Sequence, residues 1–453
     1  MIHGSLTDLA RLLSATLVGA DPGFRGVATD TRSLEAGQLF VALRGPRFDG
    51  HDFLDDAARR GAAGAIVDRP VRSSLATLRV GDTLRALGAV AAWWRERFRV
   101  PVMALTGSFG KTTTKEMLAA IASTRGEVLA TRGNLNNEIG LPLTLFRFGP
   151  GHTSAVLELG ANHRGEIARM TAIARPDVGL VTCAGPAHLE GFGGLEGVAR
   201  GKGEIFQGLG EDGVAVINAD DPFAPLWREF AGTRRVVTFG SGAGCDFTAA
   251  EVREEFPPGK PGLAFELAGP GWRRAVRLAL PGRHNVTNAL AAAATAWAAG
   301  FGEDEIVRGL SASRGVAGRL TLRPGAAGST VIDDSYNANP GSVRAAIDFA
   351  TSLPGEAWVV LGDMGELGAE ARAMHAEVGR YARERGVTRF YGLGPLAALA
   401  AEAWGAGRAF GDVDALVEEI RPGLGEGINV LVKGSRSMRM ERVAGRLAAG
   451  EAD

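Results

Sequence analysis

Apolar residues along this chain follow two rhythms that alternate. Continuous apolar runs, VMAL at 102–105, AVLEL at 155–159, VGLV at 178–181 and VAVI at 214–217, are separated by segments whose apolar residues return every three or four positions: KTTTKEMLAAIAST, EIARMTAIA and GVARGKGEIFQGL. The runs predict strands covered on both faces and the intervening segments predict the covering helices, so this part of the chain reads as a parallel α/β sheet. A helix, TLRALGAVAAWWRERF, leads into it at about residue 85. A second alternation begins at about 313 with STVIDDSY, SVRAAIDFATSL, AWVVLGDM, MHAEVGRYARERG, RFYGLG and INVLVKGS, which predicts another nucleotide-fold-like sheet. Before residue 85, QLFVAL and GAAGAIV lie among helical patterns such as FLDDAARRGA and predict a small α/β unit. Between 244 and 280, FTAAEVREE and RRAVRLALPG read as antiparallel ribbons. The expected organisation is therefore α/β in three domains, 1–84, 85–312 and 313–453, and 453 residues suffice for each to bury its own core.

Composition narrows the chemistry. Fifty basic residues against fifty-one acidic ones leave a net charge of −1, so no global field draws nucleic acid or an anionic membrane, and any anion must meet a local site. The two cysteines, Cys183 and Cys245, form no zinc spacing and no disulfide framework. The opening MIHGSLTDLARLL carries acid and base where a secretory signal would be apolar, and ALAAAATAWAAG is too short to span a bilayer. A cytoplasmic protein without membrane insertion is expected.

One segment carries a nucleotide signal. In MALTGSFGKTTTKEM a strand ends at Thr106, Gly107 and Gly110 let backbone amides face a phosphate, Lys111 supplies charge, and the Thr112 hydroxyl suits magnesium at a helix N-terminus. The form departs from G-x-x-x-x-G-K-[ST], because Leu105 stands where the first glycine belongs. Glu158 and His188 follow apolar strands, where parallel sheets put ligand-facing residues. Lys202 sits between Gly201 and Gly203 in a helical pattern; as a solvated charge it would be unremarked, whereas buried it could lose its proton and combine with carbon dioxide to give an anionic carbamate.

The ordered set TGSFGKTTTKEM, GNLNNEIGLPLTL, VLELGANHRGEI, AHLEGFG, GKGEIF, PGRHNVTNALAA, DDSYNANPGS, LGDMGELG and VKGSRSM resembles the Mur ligases over nearly the whole chain. LGDMGELG and LVKGSRSMRMER favour the branch that adds a dipeptide, and the D-N-P-R stretch of the diaminopimelate- or lysine-adding branch is missing. The resemblance implies a small UDP-binding domain, a central P-loop ATPase-like domain and a C-terminal Rossmann-like domain. It implies ATP-dependent joining of D-alanyl-D-alanine to UDP-N-acetylmuramoyl-tripeptide through an acyl phosphate, by a monomer.

Residue by residue, the resemblance puts Gly107, Ser108, Phe109, Gly110, Lys111, Thr112 and Thr113 on the ATP phosphates. Thr112 and Glu158 would hold one Mg2+, and Glu158, His188 and carbamylated Lys202 a second. His284, Asn285 and Asn288 would lie by the adenine, Arg319 at the terminal phosphate, and Asp333 or Asp334 on the ribose. Tyr336, Asn337 and Asn339 would line the cleft, with Lys433 and Ser435 near the acyl phosphate or dipeptide. Thr31 and Arg32 would contact the UDP moiety; Asn136 and Asn137 either border the substrate path or cap the next helix. LGDMGELG is assigned only a structural loop. Competing readings are a sister ligase, a folylpolyglutamate synthase, a P-loop switch with TVIDD as its Walker B strand, and a non-catalytic UDP-sugar-binding protein.

Overall fold

A computed structural model describes residues 1–255 and 262–450. Its centre is a six-stranded parallel sheet in the order Glu127–Ala130, His152–Glu158, Val102–Thr106, Val178–Val181, Val214–Asn218, Arg235–Phe239. Val102–Thr106 lies in the middle, and successive crossovers leave it first to one side and then to the other. At such a switch point the loops diverge and open a crevice at the carboxyl ends of the strands. The chain puts its glycine-rich turn there.

Helices cover both faces. Lys111–Ala122, His284–Ala298 and Glu303–Ala312 close one core, and Thr83–Arg95, Glu166–Ala174 and Leu195–Gln207 close the other. The central strands are buried along their whole length, which is why they read as unbroken apolar runs rather than alternating ones. Against the first of these cores packs a three-stranded antiparallel sheet, Thr248–Glu255, Gly262–Gly269 and Trp272–Leu278. Its outer strands match the two ribbons expected from the sequence; its middle strand was not anticipated.

The N-terminal lobe is built on five short strands, ordered Thr16–Val18, Thr77–Arg79, Gly64–Val67, Leu39–Val41, Val27–Ala28. One face of its sheet buries a cluster of its own, with Phe40, Leu54, Ala57 and Val67, but the other face does not. Ile2, Leu6, Leu39 and Ile66 join Trp94, Leu145 and Phe148 in one continuous apolar cluster, and Ile2 N–H donates to Phe146 C=O at 2.8 Å. The C-terminal lobe has a six-stranded sheet, ordered Thr321–Pro324, Thr330–Asp334, Ile428–Lys433, Glu356–Gly362, Arg389–Leu393, Arg408–Phe410. All its pairs are parallel except the first, and its two faces bury clusters of their own. Among the described residues no helix is long and apolar enough to cross a membrane.

Candidate active site

A cleft of about 680 Å³ runs between the carboxyl end of the central sheet and the C-terminal lobe. Its floor is the glycine turn. Gly107 and Gly110 have φ of 146° and 79°, a region side chains avoid, and a Cβ on Gly107 would stand 2.0 Å from the Thr182 hydroxyl. The turn is stapled to the neighbouring strand end. Thr182 Oγ1 donates to Phe109 C=O at 2.7 Å, Ser108 Oγ to Gly185 C=O at 3.0 Å, and Ser108 N–H to Cys183 C=O at 3.0 Å. Lys111 Nζ donates back to the Gly107 and Ser108 carbonyls at 2.7 and 3.2 Å. Burial lowers its pKa, and the nearby Glu158 carboxylate opposes that shift.

Glu158 ends its strand 2 % exposed. Asn136 Nδ2 donates to its Oε1 at 2.8 Å, whereas Oε2 is buried without a hydrogen-bond partner among the described residues. An ionised oxygen left so is costly unless a cation meets it, and Thr112, His188 and Lys202 line the same cleft. Among the described residues no three His, Cys, Asp or Glu side chains gather to hold a metal by themselves. The donor set therefore suits Mg2+ held jointly by protein and triphosphate oxygens, the way such a hard ion is usually bound in phosphoryl-transfer sites.

Lys202 is 1 % exposed because its helix sits close to its neighbours: a Cβ on Gly201 would fall 2.4 Å from the Phe192 ring, and one on Gly203 2.7 Å from Phe230. Among the described residues its Nζ hydrogen-bonds only the Ala161 carbonyl, at 3.2 Å, and it lies 5.0 Å from the centre of the Phe192 ring. Burial first, and the Lys111 charge second, push its pKa down to about 7.

The opposite wall comes from the C-terminal lobe. Arg319 crosses to the glycine-turn helix, donating to Thr112 Oγ1 at 3.0 Å, and packs 4.4 Å over the Tyr336 ring. Asp334 accepts from Lys433 Nζ at 2.5 Å and from Leu320 N–H at 3.2 Å; Lys433 also donates to Asn337 C=O at 2.8 Å. Burial lowers the Lys433 pKa against the pull of Asp334.

Most residues marked from the sequence line this cleft, including Thr113, Asn337 and Asn339. Others lie elsewhere. Asp333 and Asp334 are neighbours on a strand and so face opposite ways; Asp334 takes the cleft side, while Asp333 binds Ser335 and faces Arg323. The Ser435 hydroxyl donates to Asp363 C=O at 2.6 Å and does not line the cleft. Thr31 is buried in the N-terminal lobe, and Arg32 folds onto Asp30 at 2.6 Å. Asn136 and Asn137 both line the cleft; Asn137 Oδ1 accepts from Gly140 N–H at 2.8 Å in the turn before the helix Gly140–Leu145, whose own N-cap, Ile139, has no side-chain cap. Asn285 and Asn288 line the cleft wall with side chains tied together at 2.8 Å, and burial pushes His284 down to about 4, leaving a neutral imidazole. Asn218, at the end of its strand, and Arg436, three residues beyond Lys433, also line the cleft and were not marked; strand-end position and loop proximity were the available signals.

The matches to family models cover all three lobes: "Mur ligase family, catalytic domain" at 23–92, "Mur ligase middle domain" at 105–296 and "Mur ligase, glutamate ligase domain" at 318–436. The chain belongs to the Mur ligase family. It is 46 % identical to the UDP-N-acetylmuramoyl-tripeptide--D-alanyl-D-alanine ligase of Escherichia coli (strain K12), with 98 % of each chain covered. Among solved Mur ligases it is similar to MurF from Acinetobacter baumannii (TM-score 0.93, 37 % identity, 99 % of each chain). It also matches MurF from Thermotoga maritima in complex with ADP (TM-score 0.83, 30 % identity, 93 % of this chain and 97 % of that one).

Proposed function

We propose that this chain joins D-alanyl-D-alanine to UDP-N-acetylmuramoyl-tripeptide at the expense of ATP, the last cytoplasmic addition to the peptide of the peptidoglycan precursor. The observation that carries this reading is the full-length 46 % identity to a ligase of that name, together with a cleft that gathers a phosphate turn, an orphaned carboxylate oxygen and cations from two lobes. On this reading the residues up to 84 bind the UDP end, 85–312 bind ATP, and 313–453 bind the dipeptide. A monomer suffices, because one chain supplies both walls of the cleft.

A peptide carboxylate is a poor electrophile and is repelled by the γ-phosphate it must attack. Lys111 and Arg319, which line the cleft from the two lobes, would neutralise that phosphate, and in-line placement then matters more than acid–base help. Thr112, Glu158, His188 and a carbamate on Lys202 would hold magnesium, which supplies further charge neutralisation when bound. The carbamate reading is supported by the pKa of about 7 at Lys202: roughly half the amine is neutral at pH 7, against about one in three thousand for an ordinary lysine. The acyl phosphate formed is then attacked by the neutral amine of the dipeptide, and phosphate leaves as the amide forms. Lobe contact excludes the water that would hydrolyse the acyl phosphate.

The test is phosphate release by purified enzyme supplied with ATP and the nucleotide tripeptide, with and without D-alanyl-D-alanine. Sustained release needing both acceptor and donor is expected; equal ATP consumption with both withheld overturns the reading.

A further inference from the structure

The 362–368 segment, GDMGELG in sequence, is anchored at several points. The Asp363 carboxylate caps the helix Pro395–Trp404, accepting from Leu396 and Ala397 N–H at 3.0 and 2.7 Å, and its carbonyl accepts from Ser435 N–H at 3.0 Å. Met364 N–H donates to buried His375 Nε2 at 2.9 Å, and Met364 and Leu367 are buried in the lobe's core. Between these anchors Glu366 is turned outward with φ 63°, and its Oε2 lies 2.5 Å from Nδ1 of His188, which itself has φ 55°; the contact is an ion-pair approach in which the ring nitrogen is not aligned for a hydrogen bond. Left-handed backbone costs a non-glycine residue about 1–3 kcal/mol, so two such residues meeting across a lobe boundary mark a contact their surroundings enforce.

We propose that Glu366 is a positioning residue for His188. A small rotation of the carboxylate onto the ring N–H would let it accept the Nδ1 proton, fixing the imidazole as the tautomer whose Nε2 lone pair is free for the cation in the cleft, as carboxylate partners do for metal-bound histidines. Because Glu366 belongs to the C-terminal lobe and His188 to the central one, this part of the cation site is complete only while the lobes touch. The proposal rests on the reading that His188 serves that cation. An ordinary exposed ion pair would leave cation binding unchanged.

The experiment uses the full-length enzyme with ADP and Mn2+ as the probe, counting bound Mn2+ by electron paramagnetic resonance in wild type, His188→Ala, Glu366→Ala and Glu366→Gln. The Glu366 side chain is 60 % exposed, so its replacement leaves folding intact, checked by melting temperature. The Mn2+ weakened by His188→Ala should be weakened about ten- to hundredfold by Glu366→Ala. Glu366→Gln should recover most of the loss, since an amide oxygen still accepts from Nδ1. If Glu366→Ala stays within twofold of wild type while His188→Ala weakens binding, the positioning role is overturned. If His188→Ala also changes nothing, the cation reading falls and takes the proposal with it.

Discussion

Lys202 is a cation in a place where a cation costs stability. With its pKa pushed down to about 7, the folded state carries the full burial penalty below pH 7, and stability rises with pH from 7 toward 10.5, where the unfolded chain alone keeps the proton. Lys202→Met should therefore abolish ligation yet raise the melting temperature in carbon dioxide-free buffer, with the gap largest below pH 7. A variant that melts lower at every pH contradicts this. Lys202→Ala should likewise be inactive, and short carboxylic acids should restore part of its turnover by occupying the carbamate's place; full turnover without them would end the carbamate reading. Lys111→Ala should lower phosphate release at least a hundredfold, because among the described residues no other ammonium reaches the turn carbonyls. Residues of the glycine turn were legible because their chemistry is local in sequence. Glu366 was not: its partner lies in another lobe, and a loop with one exposed carboxylate looks like any surface turn. Asp333 and Asp334 could not be told apart for a related reason, since the choice depends on which face of the sheet meets the cleft.

At the scale of elements, the helix Leu195–Gln207 shows how close packing creates the site. Gly201 lets the helix lie against Phe192, and that closeness removes Lys202 from water. Gly201→Ala should cost about 1–3 kcal/mol in denaturant unfolding through overpacking. It should also reduce turnover by lifting the lysine toward solvent, so a variant as active and as stable as wild type would refute the packing account. The long buried strands were readable from continuous apolar runs. The N-terminal strands, two to four residues each, are too short to show a period, and Gly262–Gly269 was missed between two ribbons that alternate more clearly.

For the whole molecule, the distribution of cores sets what can move. The N-terminal and central lobes share one apolar cluster, while the C-terminal lobe buries its own two, so the first two should travel as a unit and the third should swing. Arg319 spans that boundary at Thr112. Arg319→Ala should lower kcat at least tenfold with little change in KM for the nucleotide tripeptide, and should blunt the compaction that ATP and tripeptide produce in small-angle scattering. An unaltered kcat together with wild-type compaction would remove Arg319 from the closing contact.

The Phe109 ring lies against two glycines that belong to different lobes; a Cβ would approach it to 2.4 Å at Gly185 and 3.1 Å at Gly341. An inhibitor wedged into that seam would act as a doorstop, needing no mimicry of nucleotide or peptide. Escape by substitution would be hardest at Gly185, where even a methyl group would meet the same ring at 2.4 Å and crowd the joint.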